Sequence, residues 1–123
     1  MSTRATVRFA TREEGVSFNE HPKKWNAQFY KHHDGYPEGL GVDLANCIVK
    51  EGSWNGVTME IEHVDIVHGD IEYMYYIWQD HGKSIWISIF ETFLHDPFGN
   101  EYEECIFVGE PKKLLEKYDK ERD

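Results

Sequence analysis

Apolar and polar side chains alternate along the first residues of the chain, with the period of two that is typical of a β-strand with one buried face. The alternation covers residues 3–10 and puts Val7 and Phe9 on one face and Arg4 and Arg8 on the other. Two arginines on one strand face can receive an anion. In a chain with many acids, however, we expect both arginines to pair with the chain's own Asp and Glu side chains.

The same alternation returns in the second half of the chain and predicts a meander of three antiparallel strands. These strands are expected over residues 70–79, 84–92 and 101–108, joined by turns around Gly82 and Pro97. Apolar and aromatic side chains occupy both faces of the first two strands, which is more than a sheet with one wet face requires. Either helices cover the second face, or it is a binding surface or the interface of a homodimer. Because one main helix is too small to cover this face, we predict a homodimer.

Two segments have helical character. Residues 37–50 begin with Pro37, whose missing N–H does no harm in a first helical turn, and continue with apolar residues at helical spacing. These apolar residues are Leu40, Leu44, Cys47 and Ile48. Residues 111–118 also begin with a proline and predict a short charged helix that touches the sheet through Leu114 and Leu115.

The remaining segments complete the predicted fold. Residues 16–18 and 25–33 alternate like strands, whereas residues 57–66 keep no single period and predict a short helix or irregular cover. The elements together indicate an α+β fold, with a mainly antiparallel sheet of five or six strands, one principal helix and a short C-terminal helix. A length of 123 residues fits a single domain over residues 1–123.

The most promising chemistry lies where the second long strand runs into the principal helix. Asp34 and Gly35 form a turn, in which Asp bonds its own backbone and Gly accepts a positive φ. A helix start beside Gly39 and Gly41 presents backbone N–H groups that bind anions in other proteins. We predict a ligand site here, in which an aromatic ring stacks on a planar ligand while arginines hold its anionic group. Its residues are His32, His33, Asp34, Tyr36, Gly39, Arg4 and Arg8. The alternative is a tight corner in which Tyr36 and its neighbours only pack.

Two of these stretches resemble a known group of sequences. The opening MSTRATVRF, residues 1–9, and the run YKHHDGYPEG, residues 30–39, resemble small proteins of bacteriophages and bacterial mobile elements. The similarity covers about the first third of the chain. It implies a phage or prophage setting and a protein that inhibits or sequesters a host factor in the cytosol of the host cell. It implies no catalytic residue.

Charge and composition narrow the choice of partners. The chain has 23 acidic and 13 basic residues, for a net charge of -10. Nonspecific nucleic-acid binding needs clustered Lys and Arg and is disfavoured, whereas a basic partner surface is favoured. No apolar run is long enough to span a membrane, so we expect a cytoplasmic protein. The two cysteines, Cys47 and Cys105, fit neither a disulfide framework nor a metal site.

Two function classes follow. The first is a non-catalytic binding protein that inhibits or sequesters a host protein or a small anionic ligand such as a nucleotide, without a cofactor. The second is a small metal- or His/Asp-dependent hydrolase that uses His32, His33 and Asp34. The seven histidines lack HExxH spacing, so no metal ligand or catalytic residue is assigned.

Overall fold

The computed structural model describes residues 3–11, 20–49, 57–80, 82 and 84–119, and within them every side chain except that of Phe93. The strand predicted at residues 16–18 lies outside the described residues. The described residues form six strands: β1 (Ala5–Thr11), β2 (Lys24–Lys31), β3 (Glu60–Glu62), β4 (Tyr73–Gln79), β5 (Ile85–His95) and β6 (Glu101–Gly109). A π-helical turn (Pro37–Gly41) leads directly into helix α1 (Val42–Val49), and helix α2 spans Pro111–Tyr118.

All six strands belong to one sheet, in the order β3-β2-β1-β4-β5-β6. Neighbouring strands are antiparallel except β1 and β4, which are parallel. Because β1 pairs with β2 on one side and with β4 on the other, it is a central strand. The predicted meander is present as β4, β5 and β6. The α+β fold, the mainly antiparallel sheet, the principal helix and the short C-terminal helix are therefore confirmed.

One face of the sheet, which we call the helix face, carries the main core. The apolar positions of α1 and α2 pack there against alternate residues of the strands, as expected of amphipathic helices. The largest fully buried members are Tyr75, Ile87, Ile89, Leu44 and Leu114. Both helices thus cover the same face. The alternative in which helices cover the second face is therefore wrong, because the apolar stripes of α1 and α2 are used by the first core.

The opposite face, which we call the open face, is packed by its own aromatic side chains. Tyr76, Trp78 and Phe90 are 1%, 5% and 3% exposed. The rings of Trp78 and Trp86 stack at 5.4 Å, and the ring of His21 stacks on Phe90 at 3.9 Å. These contacts bury within one chain the aromatic groups that suggested an interface. The homodimer stays a prediction, but these residues no longer require it.

The corner between β2 and the π-helical turn depends on close packing. Asp34 has a φ of 58°, so the left-handed residue is the aspartate and not Gly35 as expected. Gly35 instead provides space, since a Cβ atom there would lie 2.7 Å from that of Ala5. The Gly35 N–H donates to the carbonyl of Thr3 at 2.9 Å, and the hydroxyl of Tyr75 donates to the Gly35 carbonyl at 2.6 Å.

Several boundaries differ from expectation: β4 begins at Tyr73 and not at residue 70, β5 ends at His95 and not at residue 92, and two further differences lie in the first half of the chain. β2 ends at Lys31, two residues before the predicted end, because the chain already bends at His32. Residues 57–66 form the short strand β3 and otherwise irregular structure, so the irregular cover is present and the short helix is not. Residues 60–62 form a strand because they pair with β2, and the local sequence pattern gives no sign of this pairing.

The first prediction concerns Gly35. We expect Gly35→Ala to lower the free energy of unfolding by about 1–3 kcal/mol, because the new methyl group meets the Ala5 side chain and the Thr3 backbone. Gly69→Ala is the matched control, since nothing lies within 4 Å of a Cβ atom there. Urea denaturation measures both. Equal stability of the two variants would contradict this account of the corner.

The second prediction concerns alkaline pH. Burial raises the pKa of Tyr75 well above its ordinary value. The native state therefore favours the neutral phenol, and the resulting stability is complete below the unfolded pKa of about 10 and is lost as the pH rises beyond it. We expect the urea midpoint to fall as the pH rises from about 9 to about 11, the range around the ordinary tyrosine pKa. We expect Tyr75→Phe to make this fall shallower. An unchanged slope in Tyr75→Phe would contradict the burial argument.

Candidate functional site

A cleft of about 760 Å³ lies on the open face. Its base comes from β1 and β4, and its walls come from residues 21–23, residues 66–71 and the start of β6. The volume is within the range of about 300–1,000 Å³ that is typical of small-molecule sites. This cleft is the candidate site.

Arg8 of β1 lines the base of the cleft. Its Nε donates to the side-chain oxygen Oε1 of Gln28 at 2.9 Å, and its Nη1 donates to the Tyr76 hydroxyl at 2.8 Å. The guanidinium lies over the Trp25 ring, 3.8 Å from the ring centroid. A guanidinium has five N–H donors, and three of them take no partner in the described part of the chain. No carboxylate among the described residues lies within ion-pairing distance of it.

On one side of Arg8, hydrogen bonds continue to β6. The Tyr76 hydroxyl lies 2.9 Å from Nδ1 of His21, and Nε2 of His21 bonds the Glu103 carboxylate. Since a carboxylate only accepts, Nε2 is the nitrogen that carries a proton toward Glu103, and in that tautomer of the ring Nδ1 accepts the Tyr76 O–H. Burial raises the pKa of Tyr76, although the neighbouring Arg8 acts in the opposite direction, so the phenol keeps the proton that it donates.

On the other side of Arg8, hydrogen bonds continue to β3. The fully buried Gln28 side chain donates to the Glu62 carboxylate at 2.5 Å and to the Ile66 carbonyl at 2.8 Å. Glu62 in turn bonds Nε2 of His68 at 2.7 Å, and the His68 ring stacks on Tyr30 at 4.0 Å. We call the whole chain of contacts the cross-sheet network. Its members are Glu103, His21, Tyr76, Arg8, Gln28, Glu62 and His68.

Thr6 adds a second polar group to the base of the cleft. It is two residues before Arg8 on the same strand face and is only 2% exposed. Its hydroxyl makes no side-chain hydrogen bond within the described residues. A buried hydroxyl without a partner costs about 1–3 kcal/mol, so a ligand that bonds it gains affinity. Guanidinium N–H groups beside a hydroxyl form a donor set suited to an anion.

The residues predicted around the β2 corner lie elsewhere. His32 bonds the Glu60 carboxylate at 3.2 Å, and the rings of His32 and His33 are 6.3 Å apart. Asp34 forms the corner, and Tyr36 is 37% exposed beside it. The structure thus brings these four residues near one another, but not to the cleft.

The glycines of the predicted anion site also have local roles. The Gly39 N–H donates to the Tyr36 carbonyl at 3.0 Å, and the Leu40 N–H donates to the Asp34 carbonyl at 3.1 Å. These two N–H groups are therefore used within the corner. A Cβ atom at Gly41 would contact Tyr75 and other core atoms, so this glycine faces the protein interior.

The two arginines of the predicted site, Arg4 and Arg8, have different kinds of partner. Arg4 pairs with Asp70 at 2.8 Å, which confirms the expected pairing with the chain's own acids. Arg8 does not: its described partners are Gln28 and Tyr76 on the open face. The β2 corner is contacted by Tyr75 from the helix face, so the sheet separates Arg8 from the corner.

Sequence reasoning missed most of the cleft residues. The strand pattern placed Arg8 on the polar face of the first strand, and that face lines the cleft. It carried no sign that His21, in a loop, would reach Glu103 across 82 residues of chain. Within the described parts of the chain, no three His, Cys, Asp or Glu side chains are grouped to hold a metal ion.

Comparisons with protein-family models, curated proteins and solved structures found no match. The similarity to phage proteins therefore stays a prediction. Neither of the helices in the described residues combines the length and apolar character needed to cross a membrane.

The third prediction concerns the cross-sheet network. Tyr76→Phe removes a hydroxyl and leaves an Arg8 N–H and the His21 Nδ1 without partners, so we expect a loss of about 1–3 kcal/mol in the free energy of unfolding. Tyr102→Phe is the matched control, because that ring is 46% exposed at the rim. Urea denaturation compares the two. A loss no larger in Tyr76→Phe would show that the network does not stabilise the fold.

Proposed function

We propose that the protein is a non-catalytic binding protein that captures a small anionic ligand in the open-face cleft. One observation supports this above all: the Arg8 guanidinium lines the base of the cleft with three N–H donors unpartnered by described residues, beside the buried Thr6 hydroxyl. A partly buried cation attracts an anion when no carboxylate pairs with it, and none does so within the part of the chain that the structure describes.

The network favours binding over catalysis. The Tyr76 hydroxyl and both ring nitrogens of His21 already have protein partners. They hold the guanidinium in one orientation, and a preorganised donor loses little freedom when a ligand binds. Their role is that of supports for Arg8.

The overall charge shapes how binding occurs. With a net charge of -10, the long-range field repels an anion and does not steer it to the cleft. Affinity must therefore come from short-range contacts inside the cleft. This favours a ligand small enough to enter it over a large anionic surface.

In a cell, this function is sequestration. The resemblance to phage proteins implies that the captured molecule belongs to the host, and that the protein acts in the host cytosol. A concave cleft fits a small molecule better than a protein surface. We therefore place the small anionic ligand before the host protein as the factor that is removed.

The fourth prediction tests the role of Arg8. Calorimetry with a panel of carboxylates, phosphates, nucleotides and cyclic nucleotides is expected to find binding to the wild type. Arg8→Gln is expected to weaken that binding about 10–100-fold, because a charge-assisted hydrogen bond contributes about 1.5–3 kcal/mol. Arg4→Gln is the control, since Arg4 pairs with Asp70 and does not line the cleft.

Two results would contradict the proposal. One is a wild type that binds no member of the panel. The other is binding that is equally weakened by Arg4→Gln and Arg8→Gln, since this would reflect loss of net charge and not contact with the guanidinium. Circular dichroism of each variant establishes that the fold is retained.

A further inference from the structure

We infer that the ligand of this cleft is an apolar monocarboxylate: one carboxylate group on an apolar body. The inference rests on the proposed function and adds the chemical class of the ligand. It selects against nucleotides and other polyanions. Three features of the cleft carry it: its walls, its charges and its donors.

The wall formed by residues 66–71 is apolar at Ile66, Val67 and Ile71, and His68 also lines it. Ile66 and Val67 are 43% and 84% exposed, and the buried Ile71 and half-buried Met74 continue this surface toward the base. Exposed apolar side chains that border a cleft gain free energy when a ligand covers them, about 25 cal/mol per Å² of apolar surface. An apolar body beside this wall supplies that cover.

The charges of the cleft suit a single negative charge. Among the described residues, its lining cations other than histidine are Arg8 at the base and Lys23 at the rim, and its lining acids are Glu101 and Glu103. The histidine ring of His21 is itself bound to Glu103. A monoanion at Arg8 is neutralised by the guanidinium. Further phosphate groups would face the two glutamates, and that repulsion disfavours polyanions.

The donors at the base suit a carboxylate. Arg8 offers up to three N–H groups from a planar fork, and Thr6 offers one O–H from the same strand face. A carboxylate is planar and accepts about four hydrogen bonds, and guanidinium matches its geometry. The carboxylate therefore satisfies both groups at once while its apolar body lies along the wall.

Calorimetry with octanoate, 1-octanol, inorganic pyrophosphate and ATP tests the inference. We expect octanoate to bind, 1-octanol to bind at least tenfold more weakly, and pyrophosphate and ATP to show no binding at the same concentrations. Thr6→Val is expected to weaken octanoate binding severalfold, because its shape is retained while the donor is lost.

The wall is tested by Val67→Asp, which changes an exposed residue and should leave the fold intact. We expect it to weaken octanoate binding at least tenfold. Ile61→Asp is the matched control, because Ile61 is 76% exposed on β3 and does not line the cleft. Octanoate binding that is reduced equally by both substitutions would show that the apolar wall does not contact the ligand.

The outcomes separate the ligand class from the function. Pyrophosphate or ATP binding that is tighter than octanoate binding, and is lost in Arg8→Gln, would overturn the monocarboxylate and leave an anion site. Absence of octanoate binding at millimolar concentration would also overturn the monocarboxylate. Octanoate binding that survives Arg8→Gln, or equal binding of 1-octanol, would overturn the anion site as well.

Discussion

A charged side chain on a central strand must find hydrogen-bond partners on the neighbouring strands, and in this protein that constraint determines the arrangement of a whole face of the sheet. Arg8 lies on β1, between β2 and β4, and cannot reach an edge. Each neighbouring strand supplies one hydrogen-bonding group, Gln28 from β2 and Tyr76 from β4. Each of these groups needs a partner of its own, because buried polar groups without partners are costly. That need extends the network to Glu62 on one side and Glu103 on the other.

The two faces of the sheet therefore follow different rules. The helix face buries mainly aliphatic groups under α1 and α2, and the fully buried Tyr75 on that face donates its hydroxyl to the Gly35 carbonyl. The open face mixes a cation with aromatic rings, which accept it because a guanidinium over an indole ring is favourable. Glu103 lies at one end of the network, and Glu62 lies next to His68 at the other end, so intermediate side chains separate each glutamate from Arg8. The guanidinium keeps three N–H donors that no described residue fills, and Glu101 and Glu103 at the cleft limit how much negative charge the proposed ligand can bring.

The local sequence pattern predicted most of the individual strands and helices, because these elements depend on the spacing of apolar residues along the chain. A period of two identified β1 and the meander, and helical spacing with an initial proline identified α2 over the observed residues. The pairing of β1 with β4 is parallel and joins residues more than 60 apart, so no local signal announces it. The position of His21 above Phe90 likewise depends on how a loop returns over the sheet. The faces of the strands were predictable, whereas the groups that meet across them were not.

The glycine-rich corner shows why the predicted site differs from the cleft. In a sequence, a glycine that admits a ligand and one that admits another part of the chain look the same. The structure separates them by what a side chain would meet: Ala5 at Gly35, the carbonyl of Asp34 at Gly39, and core atoms at Gly41. In each case the neighbour is the protein itself. A polar or charged residue in the middle of an alternating strand is different, because the fold gains nothing from burying it without a full set of partners. Arg8 is such a residue, and the donors that no described residue fills are therefore a better indication of a ligand than the glycines are.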